Sequence, residues 1–161
     1  MLIRNATPAD YDAIRALMED AFDRSAEAML VEALRRDNDA IIDIVADNVG
    51  PTVGHAMFSR MAAPFRALGL GPIAVVANAR GHGVAAKLIR HGLEEAARSG
   101  YRGVFVLGDP AFYGRFGFEA DLARGFTSLY AGAHFMVAPL GRNLPARVGN
   151  VAYAPAFAAL E

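Results

Sequence analysis

One run constrains this chain more than any other: Ile73-Ala74-Val75-Val76-Ala77-Asn78-Ala79-Arg80-Gly81-His82-Gly83-Val84-Ala85-Ala86. A strand-like apolar segment passes through a short polar turn into Gly81 and Gly83, and a helical pattern begins behind them. The first amides of a helix have no intrahelical partner, and the helix dipole adds partial positive charge there. Glycine lets that backbone come close to a ligand. A strand that feeds a helix through such a loop is a cradle for phosphate. The expectation is a site for the pyrophosphate of a nucleotide-like cofactor.

The rest of the chain limits what that cofactor serves. With 54% hydrophobic and 20% charged residues, the 161 residues have material for the core of one domain. Residues 141–161 read as a C-terminal extension packed on that domain. A net charge of −1 leaves no electrostatic footprint for nucleic acid or an anionic membrane. The chain has no cysteine, which excludes disulfides, thiolate metal sites and a cysteine nucleophile. Its four histidines are scattered without metal-ligand spacing, so no metal is expected. The N-terminus carries no signal-peptide pattern, and the uncharged stretches at 67–79 and 125–141 are too short and broken for a membrane span. A cytoplasmic location is expected.

In chain order, Leu2–Asn5 reads as a first strand. Thr7-Pro8-Ala9-Asp10 is a helix start, followed by Tyr11, Ile14, Leu17, Met18 and Phe22 at helical spacing. Ser25 caps a second helix through Met29, Leu30 and Leu34. Residues 40–45 and 53–59 form an antiparallel hairpin around Asp47-Asn48-Val49-Gly50. Gly69, Gly71 and Pro72 interrupt the approach to Ile73, as at a bulge or a close backbone approach.

Behind Gly83 the helix turns Val84, Leu88, Ile89, Leu93, Ala96 and Ala97 inward, and Gly100 ends it. Val104-Phe105-Val106-Leu107 is an interior strand, closing a right-handed βαβ unit. Pro110 starts a short helix limited by Gly114 and Gly117. Phe118 leads into another strand, 134–140 is a further one, and 148–152 is a weak one. Pro155 and Phe157 pack across the body. The fold class is α/β (α+β): a mixed central sheet of about six to seven strands with helices on both faces.

Two patterns compete for the glycine loop. Gly81, Gly83 and Ala86 satisfy the dinucleotide pattern G-x-G-x-x-G/A, with Asp109 at the end of the next strand. Against it, Ala77–Arg80 separate strand from loop, no train of βα units follows, and the loop lies mid-chain. The second pattern is R/Q-x-x-G-x-G/A, and Arg80-Gly81-His82-Gly83-Val84-Ala85 fits it.

With Ile73-Ala74-Val75 ahead of it, this resembles the acetyl-CoA motif of the GNAT acetyltransferase superfamily. Tyr113, Gly117 and Phe118 match the Tyr-x-x-x-Gly-Phe that such chains carry downstream, and the element order agrees. The segment from Gly108-Asp109-Pro110 to Tyr113-Gly114-Arg115-Phe116-Gly117-Phe118 is similar to one bacterial subgroup of these enzymes. The likeness covers roughly residues 1–140. It implies a GNAT fold, splayed at the acetyl-CoA site, and an N-acetyltransferase moving acetyl to a primary amine by direct attack in a ternary complex. It also implies roles. The backbone of Ile73, Ala74 and Val75 would hold the pantetheine arm and polarise the acetyl carbonyl. The amides from Gly81 through His82, Gly83, Val84 and Ala85 to Ala86 would hold the pyrophosphate, with Arg80 at the entrance. Tyr113 would protonate the departing CoA thiolate.

A phenol of pKa near ~10 is neutral at pH 7 and suited to that step. Ala77 replaces a proline common in the family, and an asparagine often found before the tyrosine is absent. No acid lies on the motif strand to act as general base; His55 and His134 are the candidates, beside water or an amine arriving neutral. Asp109 reads as a turn or cap residue and Arg115 as a solvated or ion-paired one. The acceptor, a small-molecule or peptide amine, is not encoded locally, and a homodimer stays open. A non-catalytic acyl-CoA-binding or sensing module on the same fold is the alternative of a different class.

Overall fold

Six strands form the central sheet, in the order β1 (Leu2–Asn5), β2 (Ala40–Asp47), β3 (Thr52–Arg60), β4 (Ala67–Val75), β5 (Gly103–Leu107) and β7 (Phe135–Pro139). The structure is a computed structural model that describes residues 1–160. Only β4 and β5 pair in parallel; the other four ladders are antiparallel. The crossover between them is α3 (Val84–Arg98). A dinucleotide fold needs a run of parallel strands, and this sheet has one parallel pair.

Alternation along the strands sorts side chains onto two faces. Ile44, Phe58, Leu68, Val104, Val106 and Met136 face α3, packing with Val84, Leu88 and Ile89. On the other face, Val45 and Met57 meet α1 (Tyr11–Phe22) and α2 (Ala26–Arg36). Further along that face, Phe105, Phe135 and Val137 pack with Phe126, Leu144 and Val151. The expected inward stripe of α3 needs one change: Ala97 is exposed, and Gly92 is buried against the Phe58 ring.

The helix starts differ from expectation in detail. Pro8–Asp10 forms a 3₁₀ turn before α1 begins at Tyr11. The Asp10 carboxylate accepts from the Thr7 amide at 2.7 Å and from both terminal nitrogens of Arg4 at 2.8 Å. The Arg4 guanidinium thereby holds Asp10 well below the usual carboxylate range. Ser25 makes no cap hydrogen bond to the backbone; its hydroxyl lies 3.8 Å from Met29 Sδ. The region after Phe118 departs further. Glu119 makes a single bridge to Val137, α5 (Ala120–Ala123) follows, and β6 (Phe126–Thr127) pairs with β8 (Gly149–Asn150) in a separate two-stranded piece. The tail ends in a 3₁₀ helix, Pro155–Leu160, laid against α2, with Phe157 and Leu160 in that core layer. Among the described residues, no helix is long and apolar enough to cross a membrane.

Candidate active site

β4 and β5 begin together and then part. Ala67, Leu68 and Gly69 pair with Gly103, Val104 and Phe105, and the ladder stops there. β5 goes on pairing with β7 as far as Leu107, and β4 with β3 as far as Val75. The edge of β4 from Leu70 to Val75 thus has no strand beside it. The interruption at Gly71-Pro72 is a bulge: Ala56 pairs with Ile73 but Phe58 with Leu70, so β4 carries one extra residue. A one-residue slip exchanges the faces of a strand. Leu68 and Leu70 accordingly face α3 ahead of the bulge, while beyond it Ala74 packs with the α1–α2 layer.

Past Val75 the chain makes a 3₁₀ turn over Ala77–Ala79, and Arg80 reaches back, its Nε donating to the Val75 carbonyl at 3.0 Å. Gly81 and Gly83 take φ of +82° and +78°, the left-handed region that disfavours side chains. A Cβ at either would meet nothing within 4 Å, so packing does not demand glycine here; backbone conformation does. The first bond across the helix start runs from the Lys87 N–H to the Gly83 carbonyl at 3.1 Å. The amides of Val84, Ala85 and Ala86 precede it and have no acceptor within the helix, while the Val84 side chain is buried in the core. His82 is exposed and lines a recess of about 700 Å³ with Asn78, Lys87 and the hairpin residues Asn48 and Thr52. A loop of open amides beside a strand with a free edge fits a ligand with a phosphate end and an extended arm.

Tyr113 closes α4 (Pro110–Tyr113), which Asp109 caps by accepting from the Ala111 amide at 3.0 Å. Its ring packs edge-on to Phe112 and Phe118, with centroids at 5.0 and 5.7 Å. Burial pushes the phenol above its ordinary pKa, so it stays protonated at neutral pH. The ring helps line a cavity of about 450 Å³ in the split between β4 and β5, whose floor is Gly71, Pro72 and Ile73. The same cavity reaches Glu27 and Leu30 of α2, Leu107, and Tyr153 and Phe157 of the tail.

Neither histidine candidate lines this cavity. His55 is 0% exposed; its Nε2 lies 2.6 Å from Asp43 Oδ1, and Arg35 donates to the same carboxylate at 2.7 Å. Burial lowers the His55 pKa despite the neighbouring Asp43, so the neutral ring donates its Nε2 proton. His134 is exposed, and its carbonyl accepts from the Gly108 amide. Arg115 stacks on Phe112 and Phe116, at 4.7 and 5.4 Å from the ring centroids, instead of ion-pairing. Among the described residues the acid in the cavity is Glu27, on a helix that no sequence motif singles out.

A sheet split beside a bulged strand, with a glycine loop opening the next helix, is the architecture that the resemblance to acetyl-CoA-dependent acetyltransferases implies. The family model for an acetyltransferase (GNAT) domain matches residues 2–120. The uncharacterised N-acetyltransferase YhbS of Escherichia coli strain K12 is 41% identical over 123 residues, 74% of each chain. YjhQ of the same strain, also an uncharacterised N-acetyltransferase, is 38% identical over 119 residues, 69% of this chain and 65% of that one. The crystal structure of Escherichia coli YhbS in complex with CoA superposes with a TM-score of 0.91 at 35% identity, covering 98% of this chain and 91% of that one. A GNAT family acetyltransferase from Brucella melitensis, in complex with acetyl-CoA, gives 0.82 at 34% identity, covering 97% of each. The chain belongs to the GNAT acetyltransferase family.

Proposed function

We propose that the chain is an acetyl-CoA-dependent N-acetyltransferase that acts on a primary amine by direct attack in a ternary complex. The observation that carries this is the convergence of Ile73, at the free edge of β4, and Tyr113 on one cavity. Acetyl-CoA supplies the activated thioester. The unpaired edge at Ile73, Ala74 and Val75 holds its extended arm, and N–H groups fixed there stabilise negative charge that develops on a carbonyl oxygen. The amides from Gly81 to Ala86 hold the pyrophosphate; Arg80, tied to Val75, fixes the loop entrance. Tyr113 donates its proton to the leaving thiolate, a positioned transfer worth about 10²–10⁴ in rate. The amine attacks in its neutral form and gives its proton to water, so the step needs no protein base.

Two measurements test this. Thermal unfolding with acetyl-CoA at 100 times its Kd should gain about 2.7 kcal/mol, on the order of 5–10 °C for a chain this size, with NAD giving no shift. A shift with NAD alone would reverse the choice of cofactor. Free-thiol release with Tyr113→Phe should fall about 10²–10⁴-fold while the KM for acetyl-CoA holds. An unchanged rate would remove Tyr113 from its role. Binding without thiol release from any amine would leave a sensing module.

A further inference from the structure

Glu27 is the anomaly of the cavity. It sits in the first turn of α2 and is 6% exposed, on a helix whose other acid, Glu32, lies toward solvent. Its partner is Arg24, three residues earlier, whose Nε donates to Oε1 at 2.8 Å. Arg24 also lines the cavity, but its side chain is 55% exposed. The pair therefore joins a carboxylate inside the chamber to a cation anchored at its rim. The contact is bidentate, with Nη2 donating to Oε2 as well, so an incoming cation has to match it; the exposed arginine has water to return to when it is displaced. Leaving Glu27 buried and unpaired is costly, so any cation that replaces Arg24 must bring an equal charge. An ammonium does this, and the freed guanidinium stays in solvent.

The rest of the chamber limits what the ammonium is attached to. Apart from Glu27 and Arg24, its side-chain walls among the described residues are apolar or aromatic: Phe22, Leu30, Leu70, Leu107, Phe157 and Leu160 carry no polar atom at all. A second ammonium would lie against these walls without a counter-charge. The further polar side-chain atoms on the walls are the hydroxyls of Tyr113, Tyr130 and Tyr153, too few for the repeated donors and acceptors of a polypeptide backbone, and about 450 Å³ also has to admit the thioester.

Building on the acetyltransferase reading, we propose that this chamber selects a compact primary monoamine with an apolar or aryl body, recognised by Glu27 in exchange for Arg24. Glu27, in the first turn of α2, is then the residue that determines acceptor specificity; the ammonium it captures loses one proton to water before its nitrogen attacks the thioester.

The test is calorimetric titration of 2-phenylethylamine into the full-length protein saturated with CoA, beside spermidine and a glycyl tripeptide. The amine should bind best. Glu27→Gln should weaken it about ten- to hundredfold, the range for a hydrogen bond to a charged group, with CoA affinity unchanged. In turnover the same change should raise the amine KM far more than it lowers kcat. Arg24→Gln removes the competitor and should leave amine binding as tight or tighter; weaker binding would overturn the exchange, even if Glu27→Gln does not fold. Equal amine affinity in folded Glu27→Gln, tighter binding of spermidine or tripeptide, or no amine binding to the CoA-loaded protein would overturn the proposal while leaving the cofactor assignment intact. Loss of CoA binding in the unmodified protein would instead sink the acetyltransferase reading on which it rests.

Discussion

The Tyr113 ring lies directly over Gly108: a Cβ built on Gly108 would fall 2.4 Å from Tyr113 Cε2. The two residues are five apart, joined through the turn that Asp109 caps. Any side chain at 108 therefore moves the tyrosine. Gly108→Ala should displace the ring toward the cavity and slow thiol release about ten- to hundredfold, as misplacement of a catalytic group by ~1 Å does. The unfolding transition should change far less than the rate. Full activity in Gly108→Ala would show that Tyr113 tolerates relocation, which a positioned proton donor does not.

Gly81 and Gly83 allow a separation of backbone shape from packing. Alanine at either meets no neighbour within 4 Å, so its cost is the left-handed backbone alone, about 1–2 kcal/mol. Gly81→Ala and Gly83→Ala should fold, lose that much in urea denaturation, and raise the KM for acetyl-CoA more than they lower kcat. Unaltered acetyl-CoA binding in both would remove the loop from the cofactor site.

His55 predicts an acid-side instability. Its pKa is below 6.5 in the folded protein because burial disfavours the charged ring, while the unfolded chain binds the proton normally. Between the folded pKa and 6.5 the unfolded state holds more protons, so stability falls as pH drops through that window, approaching about 1.4 kcal/mol per unit. His55→Asn should be less stable at pH 7.5 but lose less on acidification to pH 5.5. Parallel slopes for the two proteins would show that the histidine does not titrate in this range.

The Tyr153 hydroxyl is buried without a partner, and burial holds that phenol well above its ordinary pKa. A buried hydroxyl without a partner costs about 1–3 kcal/mol. Tyr153→Phe keeps the ring against Phe157 and removes the orphan, so it should match or exceed the parent in stability by about that much at most. A marked loss in thermal unfolding would show that the hydroxyl has a bonded role.

The shape of the glycine-loop stretch is legible in sequence because everything that shapes it is local: two glycines, a polar spacer and a helical pattern. Gly71 and Pro72 likewise announced an interruption in β4. The separation of β4 from β5 has no such local sign, because it consists of hydrogen bonds that are not made between strands some thirty residues apart. β6 and β8 escaped for a related reason: each is two residues long and exists through its partner. Glu27 stands where helix periodicity permits an acid, and its place in the cavity depends on distant elements, among them β4 and the tail segment Pro155–Leu160. The pairing of His55 with Asp43 was in principle within reach. Once Val45 is opposite His55 in the hairpin, Asp43 is its diagonal neighbour on the same face.

The bulge at Gly71-Pro72 has a consequence beyond geometry. An interior strand edge with open amides and carbonyls is what natural sheets elsewhere bury, bend or charge, since it invites another chain. Here that edge lines the cavity beside Tyr113, where an extended ligand has room to pair with it. If the acetyl-CoA arm pairs with that edge as proposed, the loaded protein is in effect a sheet with one more strand, supplied by its ligand. Its rigidity then depends on the ligand concentration, and amides of Ile73 to Val75 should exchange hydrogen slowly when it is present and quickly when it is absent.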